Sequence, residues 1–343
     1  MATDNRRVAR RTWSMLGDVK RKPSPYEVVT SKFHYHFRRE PAPFELDPET
    51  PINKWYLRYR EGSALQVADW ERFRDPYKLT YTEYIKTQKG RETYVDGLID
   101  QYEASGTVAH LEPGWVDTLK SFYVPLRFPL HVLQMVGMYV GQMAPSSFIT
   151  NCAHFQAADE MRRIQRIAYW NRVLANAHGD ELAQTDTARR PWESAPEWQP
   201  LRRLLEELLI AYDWGEAFTA LNLAVKPAID ALLNWEFAAL AQVNGDQFIA
   251  QLFSEFTNDS KRSQEWTQAL VHYMLECDSK THIALDGWLA RWQPAALAAV
   301  DALAPLFGTA PSPLSEQLVS DSIAKRYTDF IHGAGLSVRG VNA

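Results

Sequence analysis

The stretch PLRRLLEELLIAY, residues 200–212, decides the fold class. Leu201, Leu204, Leu205, Leu208 and Leu209 fall at i, i+3, i+4, i+7 and i+8, while Arg202, Arg203, Glu206 and Glu207 face away. That is the apolar stripe of an amphipathic helix. Pro200 stands in the first turn, where its missing N–H costs nothing. A second stripe runs through Trp266, Ala269, Leu270, Tyr273 and Met274. Residues 146–177 hold no proline and have the length of one helix of about 45–50 Å. Breaks are expected at Pro113-Gly114, Pro125, Ala144-Pro145, His178-Gly179, Lys226-Pro227, Asn244-Gly245 and Phe307-Gly308. Alternating strand patterns are scarce, with only a weak one at Tyr26–Phe37. The expectation is an all-α protein built from long helices.

Composition sets the outer bounds. The chain has 343 residues, 46% hydrophobic and 23% charged, close to globular averages. Its net charge of -5 argues against a dedicated nucleic-acid binder, which shows a basic excess. No run of 18 apolar residues and no signal-peptide core is present, so a soluble cytoplasmic protein is expected. Cys152 and Cys277 are too few for a disulfide framework or a thiolate metal site. Aromatic residues reach 12%, which fits either a large helical core or a large partner surface.

The first 60 residues differ from the rest. Six of the 19 prolines lie within residues 1–51, and residues 1–39 carry ten Lys/Arg against three acids. Trp13, Tyr26, Val28, Val29, Phe33, Tyr35, Phe37 and Phe44 make this segment too apolar for a solvated tail. It reads as an extended arm (1–60) lying on its own core or on a partner, before a helical domain (61–310) and a C-terminal helix and tail (311–343). Trp13, Tyr26, Phe33, Tyr35, Trp55 and Tyr56 are the candidate interface anchors.

Common catalytic signatures are missing: no G-x-S-x-G, phosphate-binding loop, G-x-G-x-x-G or H-E-x-x-H occurs. Long helices suggest a carboxylate-bridged di-iron site, which needs Glu-x-x-His twice so that both ligands face one metal pair. None of the 22 glutamates has a histidine at i+3. Glu160 meets Arg163 there, and Glu216 meets Thr219. Only Asp329 among the aspartates reaches a histidine, His332. Arginine cannot ligate a metal, but Arg163 beside Glu160 inside a bundle would supply the charge that a metal otherwise supplies. The competing reading makes Arg162, Arg163 and Arg166 a solvated face paired with Asp159 and Glu160. The nine histidines are scattered.

Several words in the chain resemble one family. They include Arg11-Thr12-Trp13-Ser14, Tyr26-Glu27-Val28-Val29, His34-Tyr35, Phe44-Glu45-Leu46, Trp55-Tyr56, Asp69-Trp70 and Asp75-Pro76. Further on come Gln142-Met143-Ala144-Pro145, Asn151-Cys152, Asp213-Trp214-Gly215-Glu216-Ala217-Phe218, Asn222-Leu223 and Lys226-Pro227. Together they resemble the β (small) subunit of the hydroxylase of bacterial multicomponent monooxygenases, in the toluene, xylene and alkene/isoprene group. The resemblance implies a ferritin-like bundle with extra helices, whose metal ligands have been lost. It implies a di-iron centre in a larger α subunit, a γ subunit and an (αβγ)2 assembly. It also implies an effector protein, a Rieske [2Fe-2S] ferredoxin and an FAD- and NADH-dependent reductase, with no catalytic, cofactor or metal residue in this chain and no membrane partner. Two other readings stay open at this stage. One is a self-sufficient di-iron or di-manganese protein using Glu160, Glu216, Asp213, His154 and His272, and the other is a stand-alone helical adaptor.

Overall fold

The computed structural model describes residues 22–31 and 49–338. Among the described residues every regular element is helical. Two short helices, α1 (Pro25–Thr30) and α2 (Pro51–Tyr56), precede α3 (Tyr81–Ser105). A second stretch starts at α4 (Pro113–Thr118) and continues through a π turn and a 3-10 turn into α5 (Arg127–Met143). Then follow α6 (Ser147–His178), α7 (Thr185–Ser194) and α8 (Gln199–Leu208). A composite helix strings together α9 (Trp214–Phe218), α10 (Lys226–Ala231) and α11 (Ala238–Val243) through π segments at Thr219–Val225 and Leu232–Phe237. The chain closes with α12 (Gln247–Cys277), α13 (Thr281–Asp301), α14 (Pro305–Gly308) and α15 (Glu316–Gly333).

The long helices α3, α6 and α12 and the composite α9–α11 enclose a polar centre, and α5 pairs with α6 as an antiparallel hairpin. Close packing in that hairpin depends on small residues: the Gly141 Cα faces the His154 ring, and Gly137 faces Ala157. The apolar core is one connected cluster that includes Val319, Ile323, Tyr327, Phe330 and Ile331 of α15. The last helix is therefore packed into the same core as the rest.

Four differences from the sequence expectations have physical causes. Leu209 is exposed because α8 ends at Leu208 and the chain leaves the helical stripe. Tyr26–Thr30 is helical rather than extended, because Ser24 and Glu27 form a reciprocal capping box and Pro25 occupies the first turn. The described part of the arm near residue 56 is also helical, through α2 and the π turn Leu57–Glu61. Pro125 and Pro227 do not break their helices; side chains elsewhere take over the carbonyls that each proline leaves without an N–H.

Candidate functional site: a charge-neutral core

The centre of the bundle is built from consecutive turns of α6. Gln156 opens it: its Oε1 accepts from Asn222 Nδ2 at 2.9 Å, Ser263 Oγ at 2.7 Å and Trp266 Nε1 at 3.2 Å. One turn on, Glu160 and Arg163 point toward α10 and are each 1% exposed. Lys226 Nζ donates to Glu160 Oε1 at 2.5 Å and to Asp230 Oδ2 at 2.8 Å. Arg163 Nη1 donates to Glu160 Oε2 at 3.1 Å and Asp230 Oδ1 at 2.8 Å, and Nη2 donates to Asn234 Oδ1 at 3.2 Å. Asn234 Nδ2 then donates to Ser260 Oγ at 2.7 Å. Burial works against the Asp230 carboxylate, but Lys226 and then Arg163 outweigh it and hold its carboxyl below the ordinary range.

A second group lies on the other side of α6, between α3 and α12. Asp159 accepts from Tyr84 at 2.9 Å and Gln88 at 2.7 Å and is bridged by Arg262. Arg162 reaches Glu255 at 2.7 Å, Asp259 at 2.8 Å and also Glu92, while Arg91 bridges Asp259. Burial first, and the Asp259 carboxylate second, push the Asp159 carboxyl up, against the pull of Arg262. Isolated charges at this depth cost several kcal/mol each, so the geometry works only because acids and bases are matched.

Arg163 thus stands where the sequence placed it, beside Glu160 inside the bundle. The solvated-face reading fails for Arg162 and Arg163, which are buried, while Arg166 is half-buried against Glu92 and Asp96. Sequence reasoning missed Lys226, Asp230 and Asn234. Their signal is a polar residue every fourth position through an otherwise apolar stretch, Lys226, Asp230, Asn234.

The alternative ligands do not converge. Asp213 caps α9, accepting from Glu216 N at 3.0 Å and Ser63 Oγ at 2.7 Å. Glu216 accepts from Arg291 and from Trp292 Nε1, both at 3.0 Å. His154 packs against Gly141, and His272 is exposed near Gly335. Among the described residues no three His, Cys, Asp or Glu side chains gather as a metal group. A cavity of about 10 Å³ adjoins Asp159, Gln156, Arg262 and Trp266, room for one water and no substrate.

Of the interface candidates, Tyr26 serves its own core: its hydroxyl accepts from Asp75 N at 3.3 Å and its ring lies 5.7 Å from Phe148. That burial removes it as an exposed anchor. Trp55 and Tyr56 are half-buried, and Trp55 Nε1 donates to the Tyr139 hydroxyl at 3.0 Å. Trp13, Phe33 and Tyr35 lie outside the described residues.

The family model described as Methane/Phenol/Alkene Hydroxylase matches residues 55–278. This chain belongs to that family. It is 39% identical over 292 residues to the beta subunit of the hydroxylase component of the toluene-4-monooxygenase system of Ectopseudomonas mendocina, covering 85% of this chain and 89% of the relative. It is 26% identical over 316 residues to the hydroxylase small subunit of propane 2-monooxygenase of Gordonia sp. (strain TY-5), covering 87% and 81%. A solved chain of toluene 4-monooxygenase, with toluene bound in its resting active site, matches with a TM-score of 0.80 at 38% identity, covering 86% of this chain and 97% of that one. The fold is the ferritin-like one of these hydroxylases, and the chain is a hydroxylase β subunit of a multicomponent monooxygenase. Among the described residues, no helix is long and apolar enough to cross a membrane.

Proposed function

We propose that this subunit is a non-catalytic brace for a larger, di-iron α subunit that oxidises aromatic hydrocarbons of the toluene, benzene or xylene type, or short alkenes. The carrying observation is that Glu160 and Asp230, the deepest carboxylates of the bundle, are neutralised by the chain's own Lys226 and Arg163. Such a core is stiff and chemically closed, which suits a shell that holds another subunit's ligands in place. The assembly is (αβγ)2 in the cytoplasm, served by an effector protein, a Rieske [2Fe-2S] ferredoxin and an FAD- and NADH-dependent reductase. An obligate interface of this kind buries more than about 2,000 Å², with Trp55 and Tyr56 among its contacts and the arm carrying Trp13, Phe33 and Tyr35 extending it.

The test is co-expression with the α and γ subunits, followed by separation of the chains, iron analysis and assays of toluene, benzene, propene and isoprene oxidation. Iron is expected in the larger chain, with oxidation lost when this chain is omitted. Two irons per chain in this subunit purified alone would overturn the proposal.

A further inference from the structure

Glu160 on α6 and Asp230 on α10 share two cations. Lys226 Nζ takes one oxygen of each, at 2.5 and 2.8 Å, and Arg163 Nη1 takes the other, at 3.1 and 2.8 Å. Two carboxylates and two cations sum to zero, the same balance that two carboxylates strike with one divalent metal. A metal itself does not fit the residues present. Lysine and arginine are donors only, and their contacts here are hydrogen-bond lengths, longer than the roughly 2.0–2.2 Å of metal–oxygen bonds.

We infer that Lys226 and Arg163 are a built-in substitute for a divalent cation, and that the site becomes a metal site when those two side chains are replaced. The donor set is already arranged. Arg163→His places a histidine three residues after Glu160, so both face the same side of α6. Lys226→Ala vacates the space between Glu160 and Asp230. Asn234 Oδ1, now held by Arg163 at 3.2 Å, is released as a fourth donor. One imidazole with three oxygens suits Zn²⁺ or Co²⁺ in tetrahedral geometry. The inference rests on this chain's own geometry and stands independently of its substrate and partners.

The experiment titrates the full chain carrying R163H and K226A with Co²⁺ and Zn²⁺, reading visible cobalt absorption and the thermal midpoint. Without metal, the orphaned carboxylates should lower the midpoint by on the order of 10 °C. Zn²⁺ should restore most of that loss, and Co²⁺ should give a tetrahedral absorption band at one ion per chain, with the wild-type chain unmoved by either. A folded variant with no cobalt band and no zinc-dependent midpoint overturns the inference, as does equal uptake by the wild type. Should that variant fail to fold, K226M is compared with K226M carrying E160Q as well. Charge substitution requires the second to be the more stable, because it removes the carboxylate that the lysine had neutralised. Equal or lower stability of the double variant refutes it.

Discussion

The phenol of Tyr327 on α15 donates to the backbone carbonyl of Leu223 across 2.8 Å. Leu223 stands four residues before Pro227, whose ring nitrogen carries no hydrogen for that oxygen. The same device recurs at Pro125, where Trp198 Nε1 donates to the carbonyl of Ser121, also four residues earlier, at 2.9 Å. Both prolines sit beside π segments, so each helix widens by a residue and carries on. A side chain from a distant element thereby stitches α15 to the π segment before α10, and the turn that leads into α8 to the π segment after α4. Burial drives the Tyr327 phenol upward in pKa, so it remains a donor at every working pH.

Tyr327→Phe removes that donor without changing ring packing and leaves a buried carbonyl unpaired. The expected loss is about 1–3 kcal/mol, read as a lower denaturation midpoint with an unchanged denaturant slope. A loss below about 0.3 kcal/mol would mean that the carbonyl is satisfied without the phenol.

Gly215→Ala should destabilise the chain by about 1–3 kcal/mol through overpacking. A Cβ at this position would lie 2.6 Å from Leu65 Cβ, 2.7 Å from the Trp288 ring and 2.8 Å from Ser63 Oγ. The word Asp213-Trp214-Gly215-Glu216-Ala217-Phe218 gains a physical meaning from this. Asp213 caps the helix, and Trp214 Nε1 donates to Val140 O at 3.0 Å. Gly215 admits the loop at Ser63 and Leu65, and Glu216 ties α9 to α13. Equilibrium unfolding of the purified variant checks the prediction.

The helical class was legible because the 3.6-residue stripe of residues 201–208 is a local property, and five of the expected breaks coincide with Pro or Gly at real helix ends. The capping box at Ser24 and Glu27 was equally local and readable, yet it lay within an aromatic stretch that imitated a strand. Pro125 and Pro227 could not be read correctly, because their rescue comes from Trp198 and Tyr327, 73 and 100 positions away. The Glu160–Arg163 contact was visible as an i, i+3 pair on one helix. Lys226 was not, since a lone lysine before a proline looks like a loop until α6 is placed against it. Nothing local in the sequence pairs Asp159 with Arg262 across 103 positions.

Stability between about pH 4 and 6 should carry the imprint of Asp246. This carboxylate caps α12 through Ile249 N at 3.0 Å and accepts from Trp115 Nε1 at 3.0 Å. Burial pushes its carboxyl from the usual 3.8 to about 6, against the pull of those two donors. In that window the folded chain binds a proton that the unfolded chain has released, so this group's contribution to stability rises as pH falls from 6 toward 4 and is lost as pH rises again. Its size is on the order of 3 kcal/mol. Asp246→Asn keeps a capping oxygen but cannot titrate, so the difference between wild type and variant should change with pH across this window and level off above about pH 7. A pH-independent difference in chemical denaturation would contradict the assignment.

The arm is best tested by two truncations rather than one. Removing residues 1–50 would also remove Tyr26 and Glu27, and both support the chain's own fold. Tyr26 packs on Phe148, and Glu27 bridges Arg74 at 3.2 Å, whose guanidinium lies 3.9 Å from the Phe148 ring centroid. A loss of assembly after that deletion would therefore mix partner contact with simple destabilisation. Deleting residues 1–21 removes Trp13 and leaves α1 intact. If the arm anchors this subunit to its larger partner, that variant should unfold within about 1–2 °C of wild type, yet bind the partner at least about tenfold more weakly, a change of roughly 1.4 kcal/mol. Deleting residues 1–31 should lower the subunit's own unfolding temperature as well. Co-purification titrated against partner concentration, beside thermal unfolding of each variant alone, separates the two effects. Wild-type affinity in the shorter truncation would leave Trp13 without a part in the interface and shift the burden of contact to the half-buried surface around Trp55 and Tyr56.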